Sequence, residues 1–376
     1  MGLPTAVAIV AVLTFAAVVY FRVVRRTYRL RGARPTRLSA TTRDGWCIAV
    51  HQRTPAVRRF AEPVLLCHGL ATNHLNLDFD PPYSLAEAFA RAGFEVFSVD
   101  WRGAGASRPP PGRGRFDFDA DDLIDQDAPA VMDLVLTTTK AKQLFWVGHS
   151  LGGLVGYAVA GGPDGQRLRG LCSLGAPVYF RYPRWLAAVM RLCLFLAWPL
   201  AFRQRLFSLL CAPFVGRVTL PLSDVLVNPK AIAPAVLRSM YANLIDSMGF
   251  KLLRQLDDWT RHDRFCSRDG ARDYRARLAD VRTPVLVLGG TEDGLAPPAA
   301  IHGQAELLGS TDKTVMLFGT ANGDGLEYGH GDLLFGMGAP QEVYPRIVAW
   351  VAERATPQPT DGTQVAPSEG RPFQNA

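Results

Sequence analysis

One six-residue segment, Gly148-His149-Ser150-Leu151-Gly152-Gly153, constrains this chain more than any other. It follows a short apolar run, residues 143–147, that reads as a buried strand, and it opens residues 154–160, which read as a helix. A strand that turns into a helix at G-x-S-x-G leaves no room for side chains two residues before and after the serine. Gly148 and Gly152 supply none. The serine is then held in a strained conformation, with its Oγ raised at the C-terminal edge of a sheet and at the start of a helix. With 35 glycines in the chain the bare pattern can arise by chance, so the flanking strand and helix are what make it a nucleophile elbow.

Further strand-like runs occur at 46–52, 64–67, 95–100, 144–147, 171–174, 285–288 and 314–318. Several are continuously apolar, as strands buried on both faces should be. Helix-like segments separate most of them, including 84–92, 154–160 and 341–353. This alternation predicts an α/β fold with a mostly parallel sheet flanked by helices. It breaks between about 176 and 280, where helices with apolar faces read as an insertion over the sheet's C-terminal edge. A chain of 376 residues suits one such domain with an insertion, or two domains.

The formal charge of +7 has a local origin. Eight arginines and no acidic residue lie before Asp44, and the remainder of the chain is close to neutral. A uniformly basic nucleic-acid surface is thereby set aside. The arginines follow residues 3–21, which carry no charge and are long enough to span a bilayer. No basic region precedes that run, and it ends in bulky Val18-Val19-Tyr20-Phe21, so an uncleaved anchor is expected rather than a signal peptide. Arginines on its C-terminal side place the following domain in the cytoplasm. The six cysteines are spaced for neither a disulfide framework nor a metal site.

The expected divisions are a transmembrane anchor (1–24), a basic juxtamembrane arm (25–43), the core in two parts (44–175 and 281–354), a helical lid (176–280) and a disordered tail (355–376). The lid's first part, 165–223, has eight arginines and no acid, and 186–202 is apolar apart from Arg191. It suits either a lipid-facing surface or an ordinary cap packed on the core. Seven aspartates between Asp117 and Asp133 read as a solvated helix face with N-terminal charge rather than a metal site.

A serine nucleophile needs a base, and the base an orienting acid. In a sheet of this type the chain order is serine, acid, histidine. His330, in the glycine-flanked loop after the last strand, is the expected base, with His302 as its nearest rival; His262 lies in the insertion. Asp293, just past the run 285–290, is the expected acid, with its neighbour Glu292 a weaker candidate. The oxyanion needs two backbone N–H donors. Leu151, after the serine, and Leu70, in the His68-Gly69-Leu70 turn that ends an earlier strand, are the candidates. His68 is expected to buttress that turn.

Four stretches carry a family resemblance: His68-Gly69-Leu70 with Asn73; Arg102-Gly103; Phe116-Asp117-Phe118 leading to Asp127-Ala128-Pro129; and His330-Gly331-Asp332-Leu333-Leu334-Phe335-Gly336. With the acid loop from Gly289 to Ala296, they resemble the α/β-hydrolase superfamily, in particular its acid lipase-like branch of lysosomal and gastric lipases. The resemblance covers about 44–175 and 283–350 and implies Ser150, Asp293 and His330 as the triad, with Leu70 and Leu151 as oxyanion donors. The chain departs from the secreted acid lipases in Leu151, where they usually carry glutamine, and in its insertion.

The reading is a membrane-anchored serine hydrolase of lipid-like esters that uses no metal or organic cofactor. Its expected partners are a lipid-like ester substrate and membrane lipids, anionic ones included. Acyl transfer through the same triad, and a non-catalytic binding module on the same scaffold, are the alternatives.

Overall fold

The computed structural model describes residues 3–32, 34–182, 204–217, 227–228 and 230–358. Its first helix is α1 (Leu3–Thr27), which ends three residues past the expected anchor. Then come β1 (Thr36–Thr41), β2 (Cys47–Arg53), β3 (Val64–Cys67), α2 (Leu85–Ala92), β4 (Val96–Asp100), α3 (Ala128–Thr139), β5 (Leu144–His149), α4 (Leu151–Ala160) and β6 (Leu168–Leu174). The insertion contributes α5 (Gln204–Cys211), α6 (Pro234–Asn243) and α7 (Phe250–His262). The chain returns as β7 (Val285–Gly290), α8 (Pro298–Leu307), β8 (Lys313–Phe318) and α9 (Ala339–Arg354). The apolar stretch 186–202, weighed above as a lipid-facing surface, lies outside the described residues.

The strands form one eight-stranded sheet in the order β1-β2-β4-β3-β5-β6-β7-β8. The β1–β2 and β2–β4 pairs are antiparallel, and from β4 onward every pair is parallel. Alternation of side chains along a strand sorts the core into two layers. Leu144 and Trp146 of β5 face a layer closed by α3, α4 and α8, while Phe145 and Val147 face the layer closed by α2 and α9. The inner parallel strands β3, β4, β5 and β7 are therefore buried on both faces, as their unbroken apolar runs require.

Three findings differ from the sequence expectations. The stretch taken as a basic arm contains β1, an edge strand held by register pairing from Thr36–Gln52 to Thr41–Cys47. The tail is pinned through Gln358: Ala61 N–H donates to the Thr356 carbonyl, Gln358 N–H donates to the Arg59 carbonyl, and Pro357 bridges Phe60. The aspartate run is a solvated face only in part, exposed at Asp117 and Asp133. Asp127 and Asp119 are buried. Arg102, also buried, donates to Asp127 and Asp44, and Arg272 and Arg268 of the insertion pair with Asp125 and Asp119. The run is a seam that fastens the insertion to the core. The expected N-terminal charge is present, since Asp119 caps the helical turn at Ala120–Asp122.

Candidate active site

Ser150 sits between β5 and α4 with φ 52° and ψ −117°, a conformation that L-residues rarely adopt. The surroundings enforce it. A Cβ on Gly148 would lie 2.3 Å from the Gly152 carbonyl oxygen, and one on Gly152 would lie 2.1 Å from the Cys67 carbonyl oxygen. The turn is thus wedged between the end of β3 and the first turn of α4, and the Ser150 N–H is tied to the Leu174 carbonyl at 2.8 Å. Leu151 opens α4, so its N–H has no intrahelical acceptor.

His330 and Asp293 arrive from the other end of the chain. Asp293 lies three residues past β7 and is buried. One carboxylate oxygen accepts the Leu295 and Ala296 N–H groups at 2.8 Å each, and the other faces His330 Nδ1 at 2.9 Å. Burial alone would raise this carboxyl, but the His330 ring and the two N–H donors outweigh it and hold Asp293 below its ordinary value. The rivals lie elsewhere. Glu292 and His302 are exposed, and His262 pairs with Asp258 at the exposed end of α7.

Sequence reasoning passed over the groups that hold these residues in place. Asp332 accepts the N–H groups of Gly329 and Asn228 at 2.7 Å each, clasping the His330 loop to the insertion. Its other oxygen is buried with no partner among the described residues, and burial pushes its carboxyl up to about 6. Asn76 Oδ1 accepts the Gly69 N–H and meets His149 Nδ1, both at 3.0 Å, joining the Leu70 turn to the elbow. Burial, with His330 alongside, pushes His149 down to about 3, so its ring is neutral. A Cβ on Gly175 would fall 3.1 Å from His330 Nδ1 and 3.2 Å from Asp293 Oδ2, so only glycine leaves that pair undisturbed. His149 and Asp332 stood inside the quoted motifs. Asn76 and Gly175 had no local signal. His68 does buttress its turn, bonding the Gly69 carbonyl through Nδ1 and accepting the Trp101 N–H at Nε2.

Ser150, His330, Leu70 and Gly69 line one cavity of about 520 Å³. Its other walls are mostly apolar, including Val215, Ile232, Met240 and Leu244 of the insertion, and Phe335. The Leu151 side chain is buried in the core layer beneath. A serine hydroxyl at a helix N-terminus and a histidine held by a carboxylate line the same apolar chamber. Such an arrangement suits acyl transfer from a hydrophobic ester.

Among the described residues one group has donor atoms near enough together for a metal, His51, His74 and Asp100, within 4.8 Å of one another. Those atoms are spent on each other. His51 Nε2 and His74 Nδ1 each meet an Asp100 oxygen at 2.9 Å, and the His74 and Ala106 N–H groups complete the carboxylate's bonding. The cluster reads as a buried hydrogen-bonded knot.

A family described as alpha/beta hydrolase fold matches residues 62–322. Human lipase member N is 31% identical over 156 residues, 38% of this chain and 39% of that protein. The chain thus matches about two fifths of that relative's length. Bovine gastric triacylglycerol lipase is 25% identical over 366 aligned positions, covering 83% of this chain and 86% of the relative. Among solved structures, a soluble variant of monoglyceride lipase from Saccharomyces cerevisiae superimposes with a TM-score of 0.58 at 21% identity, covering 88% of this chain and 98% of that one.

Proposed function

The chain belongs to the α/β-hydrolase fold family, and from that premise we propose that it is a membrane-anchored serine hydrolase of carboxylic esters with lipid-like acyl groups. The observation that carries the reading is the strained Ser150 on the floor of the same apolar cavity that the Asp293-bound ring of His330 lines.

In this mechanism His330 Nε2 takes the Ser150 proton as Oγ attacks the ester carbonyl. Asp293 keeps the Nδ1–H tautomer and stabilises the imidazolium that forms. The Leu151 and Leu70 N–H groups hold the oxyanion. The imidazolium then protonates the departing alkoxide, leaving an acyl group on Ser150. His330 next takes a proton from water, the hydroxide attacks the acyl carbon, and the carboxylic acid leaves as Oγ regains its proton.

The anchor reading rests on Val7–Thr27, 21 residues of which only 6% of the most apolar window is buried. At about 1.5 Å per residue they reach about 30 Å, the thickness of a bilayer's hydrocarbon core. The far end of α1 packs on the insertion: Val24 is buried with Leu209 and Ala212, and Tyr20 Oη donates to the Leu210 carbonyl at 2.6 Å. The same insertion leaves Phe207 and Phe214 more than half exposed while other parts of it line the cavity. An acyl substrate in the bilayer would find the chamber beside the anchor, and the arginines after the span favour a cytoplasmic domain.

The test is turnover of p-nitrophenyl esters of increasing chain length. Activity should rise from acetate toward medium chains, and Ser150→Ala should remove it by about 10⁴-fold or more without loss of fold. A variant retaining over about a tenth of wild-type activity would exclude the serine mechanism. Alkaline carbonate washing of membranes tests the anchor: the full chain should stay in the pellet, and its release would exclude a span.

A further inference from the structure

A second cavity, of about 570 Å³, opens where the end of α1 meets the antiparallel edge of the sheet. Arg25, Arg29, Arg34 and Arg37 line it on one side, and His51 and His74 on the other. Five guanidiniums stand among its lining residues against two carboxylates, Asp78 and Asp80. Both carboxylates are already engaged. Asp78 pairs with Arg53 at 2.7 Å and accepts the Ser84 hydroxyl, while Asp80 accepts the N–H groups of Arg31 and Gly32. The other four arginines have no carboxylate partner among the described residues.

The cavity is built rather than a loose basic tail. The Asp80 bonds fasten the chain just after α1, and Asn243 of α6 donates to the Tyr28 carbonyl at 2.8 Å. Pairing of β1 with β2 fixes Arg37 opposite His51. The floor is the His51–Asp100–His74 knot, its rings stacked at 3.6 Å. Burial opposes a charge on His74, but Asp100 outweighs it and raises the ring's affinity for a proton. Unpaired guanidiniums converging on one space suit a multiply charged oxyanion, and phosphate fits their planar forks best. The cavity also lies at the arginine-bearing end of α1, which on the anchor reading is the depth where phospholipid phosphates sit.

We propose that this cavity is a binding site for a phosphate group, supplied by the headgroup of an anionic lipid next to the anchor. The source of the ligand rests on the anchor reading above; the phosphate chemistry does not. Arg25, Arg29, Arg34 and Arg37 grip the phosphate oxygens, and the glycerol backbone runs from the mouth of the site along α1.

The experiment is isothermal titration of the full-length protein in neutral detergent micelles with dihexanoyl phosphatidic acid, dihexanoyl phosphatidylcholine and inorganic phosphate in turn. The phosphatidic acid should bind saturably at one site, with the zwitterionic lipid at least about tenfold weaker. R25Q/R29Q should weaken binding by about thirtyfold, from roughly tenfold or less per arginine. R22Q/R26Q removes the same charge from the same helix end without touching the cavity, and should cost no more than about threefold through general screening. Equal losses in the two variants, or no saturable binding, would overturn the site. Inorganic phosphate binding as tightly as the phosphatidic acid would uphold the phosphate site and move its ligand from the bilayer to solution. Repeating the titration on Ser150→Ala separates this result from the esterase reading, since that variant should bind unchanged. A carbonate-extracted protein that still binds phosphate would refute the anchor alone.

Discussion

The two cavities differ little in volume, about 520 and 570 Å³, and differ in almost everything else. The first is walled mostly by apolar side chains, and the groups that position its histidine and the turn beside Ser150 are bound to one another: His330 to Asp293, Asp293 to two N–H groups, Asn76 to Gly69 and His149, Asp332 to the His330 loop. The second holds four arginines unpaired among the described residues, on a wall fastened by Asp80, Asn243 and β1 pairing. Groups that must keep one geometry through a reaction are best locked by neighbours, because an oriented group needs no reorganisation as charge develops. Groups that await a charged ligand are best left without partners, because an existing ion pair would have to be broken first. The contrast is what the two proposals require, one site for making and breaking bonds and another for holding charge.

The largest effect that could break this contrast is on turnover. Asp293→Asn should lower kcat by about 10³ to 10⁴-fold by favouring the wrong His330 tautomer, the size seen when the equivalent carboxylate of a serine protease is changed. Steady-state kinetics on a short soluble ester measures it. A loss below tenfold would mean that the His330–Asp293 bond is not part of the chemistry.

A second effect concerns stability. Arg102→Met leaves Asp127 buried without its cation, and should cost about 3–5 kcal/mol in chemical denaturation. Burial already pushes the Asp127 carboxyl up to about 6 even though Arg102 opposes it. The same measurement on Arg29→Gln should change stability by no more than about 0.5 kcal/mol, since an exposed arginine without a partner contributes little to the fold. Comparable costs at the two positions would erase the distinction between locked and waiting cations.

A smaller effect is pH-dependent. The Asp332 carboxyl is raised from 3.8 to about 6, so between those values the folded chain holds a proton that the unfolded chain has released. Stability must then fall as pH rises through that window, and level off above about 6. Asp332→Asn cannot titrate. The difference in unfolding free energy between wild type and variant should therefore shift by about 2–3 kcal/mol between pH 4 and pH 7, in favour of the amide. A difference that does not change with pH would show that Asp332 does not clasp the His330 loop as a buried acid.

Much of the fold and the core of the site were readable in the chain because their causes are local. Val64–Cys67 and Leu144–His149 are buried along their whole length, so continuous apolarity marks them. Gly148 is required by collisions with Gly152 and Gly153 within the same hexapeptide, whereas Gly152 is required by the distant Cys67 and His68 and was readable only through the motif. The features that escaped are those whose causes are distant. Only Ala40 of β1 is buried, and the strand is held by backbone pairing that composition does not encode. The aspartates between 117 and 133 looked solvated because their partners Arg268 and Arg272 lie far along the chain. His51, His74 and Asp100 come from three separate elements, and no spacing announces that they meet.

The central claim is that Ser150 is an activated nucleophile, and covalent labelling tests it most directly. Full-length protein would be treated with a fluorophosphonate, digested, and its peptides examined by mass spectrometry. The account predicts near-stoichiometric phosphonylation of Ser150, abolished in His330→Ala and in protein unfolded before treatment. An unlabelled Ser150 in folded protein that still hydrolyses esters, or a label on another residue, would contradict it.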